Sequence, residues 1–375
     1  MVASHPSLSV IIRKDTTKVN LARNLHAACF SPVISTWEKA IDNNHFSTWP
    51  GLTSQLIMKH LPTNPAMVQG HLKQEQQGLQ STTIKPHPTF DDTFPLAPSP
   101  NRRTHDVAYA IIDPSTTTNA YFDLTGKFPQ RSSSGNQYIF VGYNYDANSI
   151  LATPIKSRAS NNILSAWHSI HSTYEGAAVA PHIYIFDNEF SQDLQHALHE
   201  KHCTFQLVPP NTHRNNLAKR AIQTWKSHFK AGLASCDPNF PLTEWDRLVP
   251  QANLTLNLLR TSRSNTNLSA WAFLFGEFNF NKTPLAPPGT RVIAHVHTNI
   301  CKSWDLHGET GWYVGPALQH YQCVTCYFPK SRGTRICKTI TFLPKKVAFP
   351  EIKLVDFLKQ AATDIVPILT QPPSP

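Results

Sequence analysis

Residues 161–209 read NNILSAWHSIHSTYEGAAVAPHIYIFDNEFSQDLQHALHEKHCTFQLVP, and this stretch decides the fold class. Its first part sets Ile163, Leu164, Trp167, Ile170 and Tyr174 at helical intervals, which predicts a helix with one face in a core. HIYIFD (182–187) is a short apolar strand that ends on Asp187. DLQHALHEKH predicts a second helix, and FQLVP another strand. Alternation of helix and strand over so few residues argues for an α/β sheet with parallel members.

Working outward, HDVAYAIID (105–113) and TNAYFDLTG (118–126) read as extended. QYIFVGYNY (137–145) and SILATPI (149–155) follow, with a polar SSSGN turn ahead of them. On the far side NLAKRAIQTWKSHFKAGL (216–233) has the strongest helical period in the chain, with Ala218, Ile222, Trp225, Phe229 and Leu233 on one face. LTEWDRLVPQANLTLNLLR (242–260) continues as one or two helices around Pro250. The predicted fold is therefore a mixed α/β sheet with flanking helices.

Two further regions flank that sheet. In STWEKAIDNNHFSTWPGLTSQLIMKHL (35–61) helical spacings are broken at Pro50 and Gly51, which predicts two short helices, the second capped near Thr53. Beyond Pro284, TRVIAHVH, GWYVGPA, YQCVTCYF and TRICKTITFL alternate apolar and polar residues between turns, the pattern of a small all-β unit. The composition between residues 73 and 100 is rich in Gln, Ser, Thr and Pro with no apolar period, and predicts a flexible linker. The expected organisation is a helical N-terminal region over 1–72, a linker over 73–104, the α/β domain over 105–262, a β-rich domain over 263–350 and a tail over 351–375.

The chain of 375 residues carries 34 Lys and Arg against 24 Asp and Glu, a formal net charge of +10. An excess of this size favours a polyanionic partner, because each neutralised phosphate releases condensed counterions. The apolar run near the N-terminus stops at Arg13, too short for a signal peptide or a membrane span, so an intracellular protein in nucleus or cytoplasm is expected, neither secreted nor membrane-bound. Seven irregularly spaced cysteines without a secretory signal argue for reduced thiols.

Asp123 lies within one strand and Asp187 ends another. Where parallel strands meet, groups at their carboxyl ends converge on one crevice. Two carboxylates there suit divalent metals that activate an attacking oxygen and stabilise a leaving one in phosphoryl transfer.

With those aspartates in place, the polar PPNTHRNN loop and the helix that follows resemble the Asp, Asp, Glu arrangement of retroviral and retrotransposon integrases. The segments TWEKAID, WPGLTSQLIMKHLP, FDLTGKFP, LNLLRTSR, LAPPGTRV and GWYVGPAL are similar to long-terminal-repeat retrotransposon polyproteins of Copia-like type, over most of residues 35–350. The resemblance implies an RNase-H-like integrase core with a mixed five-stranded sheet, Mg2+ or Mn2+ held by Asp123 and Asp187, element-end and target DNA as partners, and a homo-oligomer. It implies DNA integration by phosphodiester transfer as the family activity.

The family helix begins Asn-x-Ala-Glu-Arg; this chain reads Asn216-Leu217-Ala218-Lys219-Arg220. An ammonium cannot ligate a cation, so Lys219 at the glutamate position predicts an impaired catalytic centre. Glu189 and Asp193 are the nearest substitute acids in sequence, and neither stands at the helix start. A non-enzymatic DNA- or chromatin-binding derivative is the alternative expectation. Lys219, Gln223, Lys226 and Lys230 recur at spacings of four, three and four, hence on one helix face, and the resemblance implies that this face holds DNA. His320, Cys323, Cys326 and Cys337 have zinc-like spacing, but within a strand-like YQCVTCYF structural cysteines are expected. The N-terminal His26, Cys29, His45, His60 and His71 lack a second cysteine, and a fold without zinc is expected there.

Overall fold

The computed structural model describes residues 18–72, 119–187, 191–208, 217–296 and 306–343. The strand expected over 105–113, the linker over 73–104, Glu189 and the tail lie outside them.

Five strands make the central sheet: β1 (Asn119–Leu124), β2 (Tyr138–Asn144), β3 (Ser149–Ile155), β4 (Ile183–Phe186) and β5 (Thr204–Leu207), in the order β3-β2-β1-β4-β5. β1, β2 and β3 pair antiparallel, with a tight turn between β2 and β3, whereas β4 and β5 run parallel to β1. A parallel partner needs a crossover. The helix Ser160–Gly176 links β3 to β4, and the helix Gln192–Glu200 links β4 to β5. A mixed five-stranded sheet with helices on both faces is the RNase-H-like arrangement.

The pleat sorts the side chains. Phe122, Phe140, Tyr184 and Phe186 stack on one face, with ring centroids 5.3–6.3 Å apart, against Trp167, Ile170 and Tyr174 of the first crossover helix. The opposite face presents Val141, Tyr143, Ile150 and Ala152 to Ile222, Trp225, Phe229 and Leu233 of a long helix, Leu217–Ala234. These are the apolar positions that periodicity selects, and Ala218, Ile222, Trp225, Phe229 and Leu233 are all buried. Full burial of side chains this size contributes roughly 1.5–3 kcal/mol each.

In chain order the helices are α1 (Lys18–Ala28), α2 (Ile34–Asp42), α3 (Ser54–His60), α4 (Pro65–His71), α5 (Ser160–Gly176), α6 (Gln192–Glu200), α7 (Leu217–Ala234), α8 (Val249–Leu259) and α9 (Ala270–Phe275). Thr53 caps α3 by accepting from the Leu56 amide at 3.1 Å. The N-terminal region has α1 and α4 beyond the two helices read from sequence. Both lack an extended apolar stripe, and α4 is only seven residues long. Close approach fixes α4: a Cβ on Gly70 would lie 2.5 Å from the Ala231 backbone nitrogen of α7. Trp37, Trp49 and Phe46 share a core with Leu254 and Leu258 of α8. Gln251 of α8 donates to the carbonyls of both Ala28 (3.0 Å) and Ala286 (2.9 Å), tying the helical region and the segment before Arg291 to one buried side chain.

α8 follows a 3-10 helix (Leu242–Leu248), with Pro250 in its first turn, where a missing N–H costs nothing. It also seals an edge. Among the described residues, Ile150 and Ala152 of β3 have no neighbouring strand on one side, and the side chains of Asn257 and Asn253 bond both N–H and C=O of each, at 2.9–3.2 Å. Two amides one helical turn apart thus mimic a sixth strand, which blunts the edge.

The β-rich part is a second five-stranded antiparallel sheet, β10-β6-β7-β8-β9, from β6 (Arg291–His295), β7 (Gly308–Pro316), β8 (Val324–Phe328), β9 (Gly333–Cys337) and β10 (Ile340–Phe342). YQCVTCYF is a strand only from Val324; Tyr321 and Gln322 form a turn, with Gln322 at φ 55°. No helix among the described residues is long and apolar enough to cross a membrane.

Candidate nucleic-acid interface and its paired aspartates

Parallel pairing puts Phe122 opposite Phe186, so Asp123 and Asp187, one residue further along each, stand side by side on strands about 4.8 Å apart. Alternation decides their direction. Both phenylalanines point into the α5 face, and Tyr121, two residues before Asp123, packs in the α7 face. The two carboxylates therefore belong to the α7 side. Asp123 Oδ1 accepts from the Leu124 amide at 2.7 Å.

α7 delivers a lysine to each aspartate. Lys219, in its first turn, sets Nζ 3.1 Å from Asp187 Oδ2, with side-chain exposures of 40% and 19%. This position is unfavourable for a cation, because the helix N-terminus carries the positive end of the macrodipole. Asp187 offsets both charges. Two turns on, Lys226 is half-buried; burial pushes its ammonium below the usual lysine range, as does the neighbouring Lys230, while the Asp123 carboxylate acts in the opposite sense. Gln223 and Lys230 are exposed on the same face, and Gln223 borders a small cleft with Pro32, Thr36 and His71. α7 contains Lys219, Arg220, Lys226 and Lys230 and no acidic residue.

Among the described residues, the side chains around Asp123 and Asp187 do not make a set that fits a divalent metal. Among the described residues no three His, Cys, Asp or Glu side chains cluster as ligands, and an ammonium is bonded to an oxygen that a cation would need. Asp193 is exposed in the first turn of α6 and joins no such cluster.

The zinc-like spacings resolve into local structure. The Cys337 thiol accepts from Cys326 and is lowered by that bond and by Arg335, while Cys326, as donor, is raised. The His320 amide closes a turn onto Ala317, and Cys323 bonds back to His320. In the helical region His26 bonds the Pro32 carbonyl at 2.8 Å and Asn64 at 3.2 Å, and His45 bonds the Leu258 carbonyl. Cys29 is buried, which raises its thiol.

Sequence reading missed Lys127, which the turn after β1 brings beside Lys226 and Lys230, and the edge-sealing Asn253 and Asn257. The asparagines had a signal in their spacing of four. Lys127 had none, since its neighbours come from elsewhere in the chain.

The sequence matches no protein-family profile and no curated protein. Among solved structures it is similar to the HTLV-2 integrase catalytic core domain in complex with magnesium, in its trimeric form: 19% identity, 42% of this chain, 95% of that one, TM-score 0.32. The BIV integrase catalytic core domain gives 13% identity, 42% and 92% coverage, and a TM-score of 0.32. A chain of the simian T-cell lymphotropic virus intasome gives 14%, 61% and 82%, with a TM-score of 0.29.

Proposed function

We propose that this chain is an integrase-derived DNA-binding protein of long-terminal-repeat retrotransposon origin, Copia-like in type, whose phosphodiester-transfer centre is disabled by Lys219. The observation that carries this reading is the 3.1 Å pair between Lys219 Nζ and Asp187 Oδ2. In the family the third acidic group would add a negative charge to two aspartates and so require a cation. Here the chain supplies a positive charge of its own, which neutralises one of the two carboxylates without metal. The family activity, DNA integration with Mg2+ or Mn2+, is thereby separated from the family partner, DNA.

The residues proposed to hold DNA are Lys219, Gln223, Lys226 and Lys230. Lys226 and Lys230 offer ammonium groups to phosphate oxygens, contacts that position a duplex without reading its sequence. Lys219 adds to the local positive field while it cancels a carboxylate that would repel the phosphates. The net charge of +10 supports the same direction. An intracellular location, and a homo-oligomer on DNA implied by the resemblance, belong to the same proposal.

The test is binding of a labelled blunt duplex to the full chain with magnesium or with a chelator, together with a strand-joining assay. The expected result is equal affinity in both conditions, a steep loss of affinity with salt, and no joining. Joining with magnesium at a rate that Asp123→Asn abolishes would make the chain an active integrase and overturn the proposal.

A further inference from the structure

Ser269 caps α9 by accepting from the Ala272 amide at 3.0 Å, and the helix then places Trp271 and Phe275 one turn apart on the same face, ring centroids 4.3 Å from each other. Gly276, at φ 79°, turns the chain back, and Phe278 comes edge-on to Trp271 at 6.4 Å and 83°. The three rings line a cleft of about 570 Å3 that α9 shares with β3, α5 and α8, where Leu151, Ile170 and Val249 are buried. No residue of α7 and neither of the paired aspartates belongs to it.

Two carboxylates lie along the same cleft. Asp246 is only 6% exposed; Asn136 donates to its Oδ2 at 2.8 Å, and no donor among the described residues reaches its Oδ1. Glu277 is exposed in the turn after α9. Lys282 is the one cation of the lining, and among the described residues none of these three is in an ion pair. A buried carboxylate without a counter-charge is unfavourable, and a cation brought beside it offsets that cost. Aromatic faces attract cations as well. An anion fails both conditions, and a neutral apolar body leaves Asp246 as it was. A hard metal ion finds no set of three ligands here among the described residues and gains little from rings. A guanidinium satisfies both, since its plane stacks on a ring while its N–H fork bonds a carboxylate, and it loses less hydration than an ammonium.

We propose that this cleft receives an arginine side chain from a partner protein, its guanidinium between the aromatic group and the carboxylates of Glu277 and Asp246. The volume leaves room for the residues on either side of that arginine, and Phe275 and Leu318, 46% and 47% exposed at the lining, offer them apolar contact. Charge makes the site selective. A chain with a net charge of +10 repels a basic peptide over most of its surface, so attraction is confined to a place where carboxylates outnumber cations. The inference does not rest on the DNA path along α7 and stands or falls without it.

The experiment measures fluorescence anisotropy of labelled, end-blocked five-residue peptides on the full chain, with a central arginine, citrulline or lysine between two leucines. The arginine peptide should bind about tenfold tighter than the citrulline peptide, which has its shape without its charge, and tighter than the lysine peptide. Glu277→Gln should weaken the arginine peptide about threefold and leave the citrulline peptide unchanged. Phe275→Ala should weaken both. Glu277 is exposed, so its substitution keeps the test sound if Phe275→Ala lowers the melting temperature. Equal affinity for arginine and citrulline, or no arginine binding at about 1 mM peptide, overturns the site. Lysine bound as well as arginine overturns the choice of guanidinium, and arginine binding that survives both substitutions seats the peptide elsewhere and overturns the cleft. Free arginine amide bound as tightly as the peptide would make a small molecule the occupant. Dimerisation of the chain that Phe275→Ala abolishes would give the cleft to a second copy; either result overturns the partner-protein assignment.

Discussion

Lys219 and Asp187 meet as an ion pair, Nζ to Oδ2 at 3.1 Å, across the gap between the end of β4 and the first turn of α7. As a half-exposed pair it stabilises the fold by about 1 kcal/mol or less. Its consequence is chemical. On the proposed reading it fills with protein charge the position from which a cation would otherwise organise two carboxylates.

Lys219→Glu should therefore change two properties in opposite directions. Divalent-metal binding, read by calorimetry, should become measurable. Metal-free duplex affinity should fall and its salt dependence should become shallower, because one phosphate-facing cation is lost and one anion gained. An unchanged salt slope and no metal binding would remove Lys219 from the site.

Acid should destabilise the chain before its carboxylates titrate. Burial lowers His228 to about 3 and His26 to about 4, well below the ordinary value of 6.5. His228 Nε2 lies 2.9 Å from Thr255 Oγ1, whose hydroxyl already donates to the Gln251 carbonyl, so the ring is the donor. The unfolded chain takes up protons below pH 6.5 and the folded chain does not, so stability is full above that pH and declines as pH falls towards the folded values. Each histidine contributes a slope of up to about 1.4 kcal/mol per pH unit. Urea midpoints at pH 7 and pH 5 should differ, and His228→Asn should reduce the difference.

Asn253→Leu should cost about 1–3 kcal/mol, because it leaves the Ala152 N–H and C=O on a buried edge without partners. It also strands Trp225 Nε1, which donates to the same oxygen at 2.9 Å. Asn257→Leu should have a similar effect at Ile150. Denaturant midpoints measure both, and a neutral result for either would mean that the edge is sealed by something else.

Gly232→Ala probes the seat of the N-terminal region on α7. An added Cβ would come within 1.8 Å of the Phe30 ring, and overpacking of this kind costs about 1–3 kcal/mol. A lower melting temperature is expected. Were stability unchanged, Phe30 would not be held where the fold puts it.

Much was legible because it is local. The helical period of α5 and α7 and the alternating burial of β1 follow from which residues tolerate water, and that pattern is written along the chain. The identities of Asp123, Asp187 and Lys219 are equally local. What sequence alone could not determine is adjacency. Parallel pairing of β1 with β4 makes neighbours of two aspartates far apart in sequence, and the crossover through α5 enforces it. The same holds for Lys127, which gains Lys226 and Lys230 as neighbours only when α7 lies on the sheet. α1 and α4 escaped notice because short helices owe their stability to the surfaces they dock on rather than to their own period. The chain determines which groups carry charge and which prefer to be buried; only tertiary packing decides which charges meet, because that depends on the free energy of the whole core.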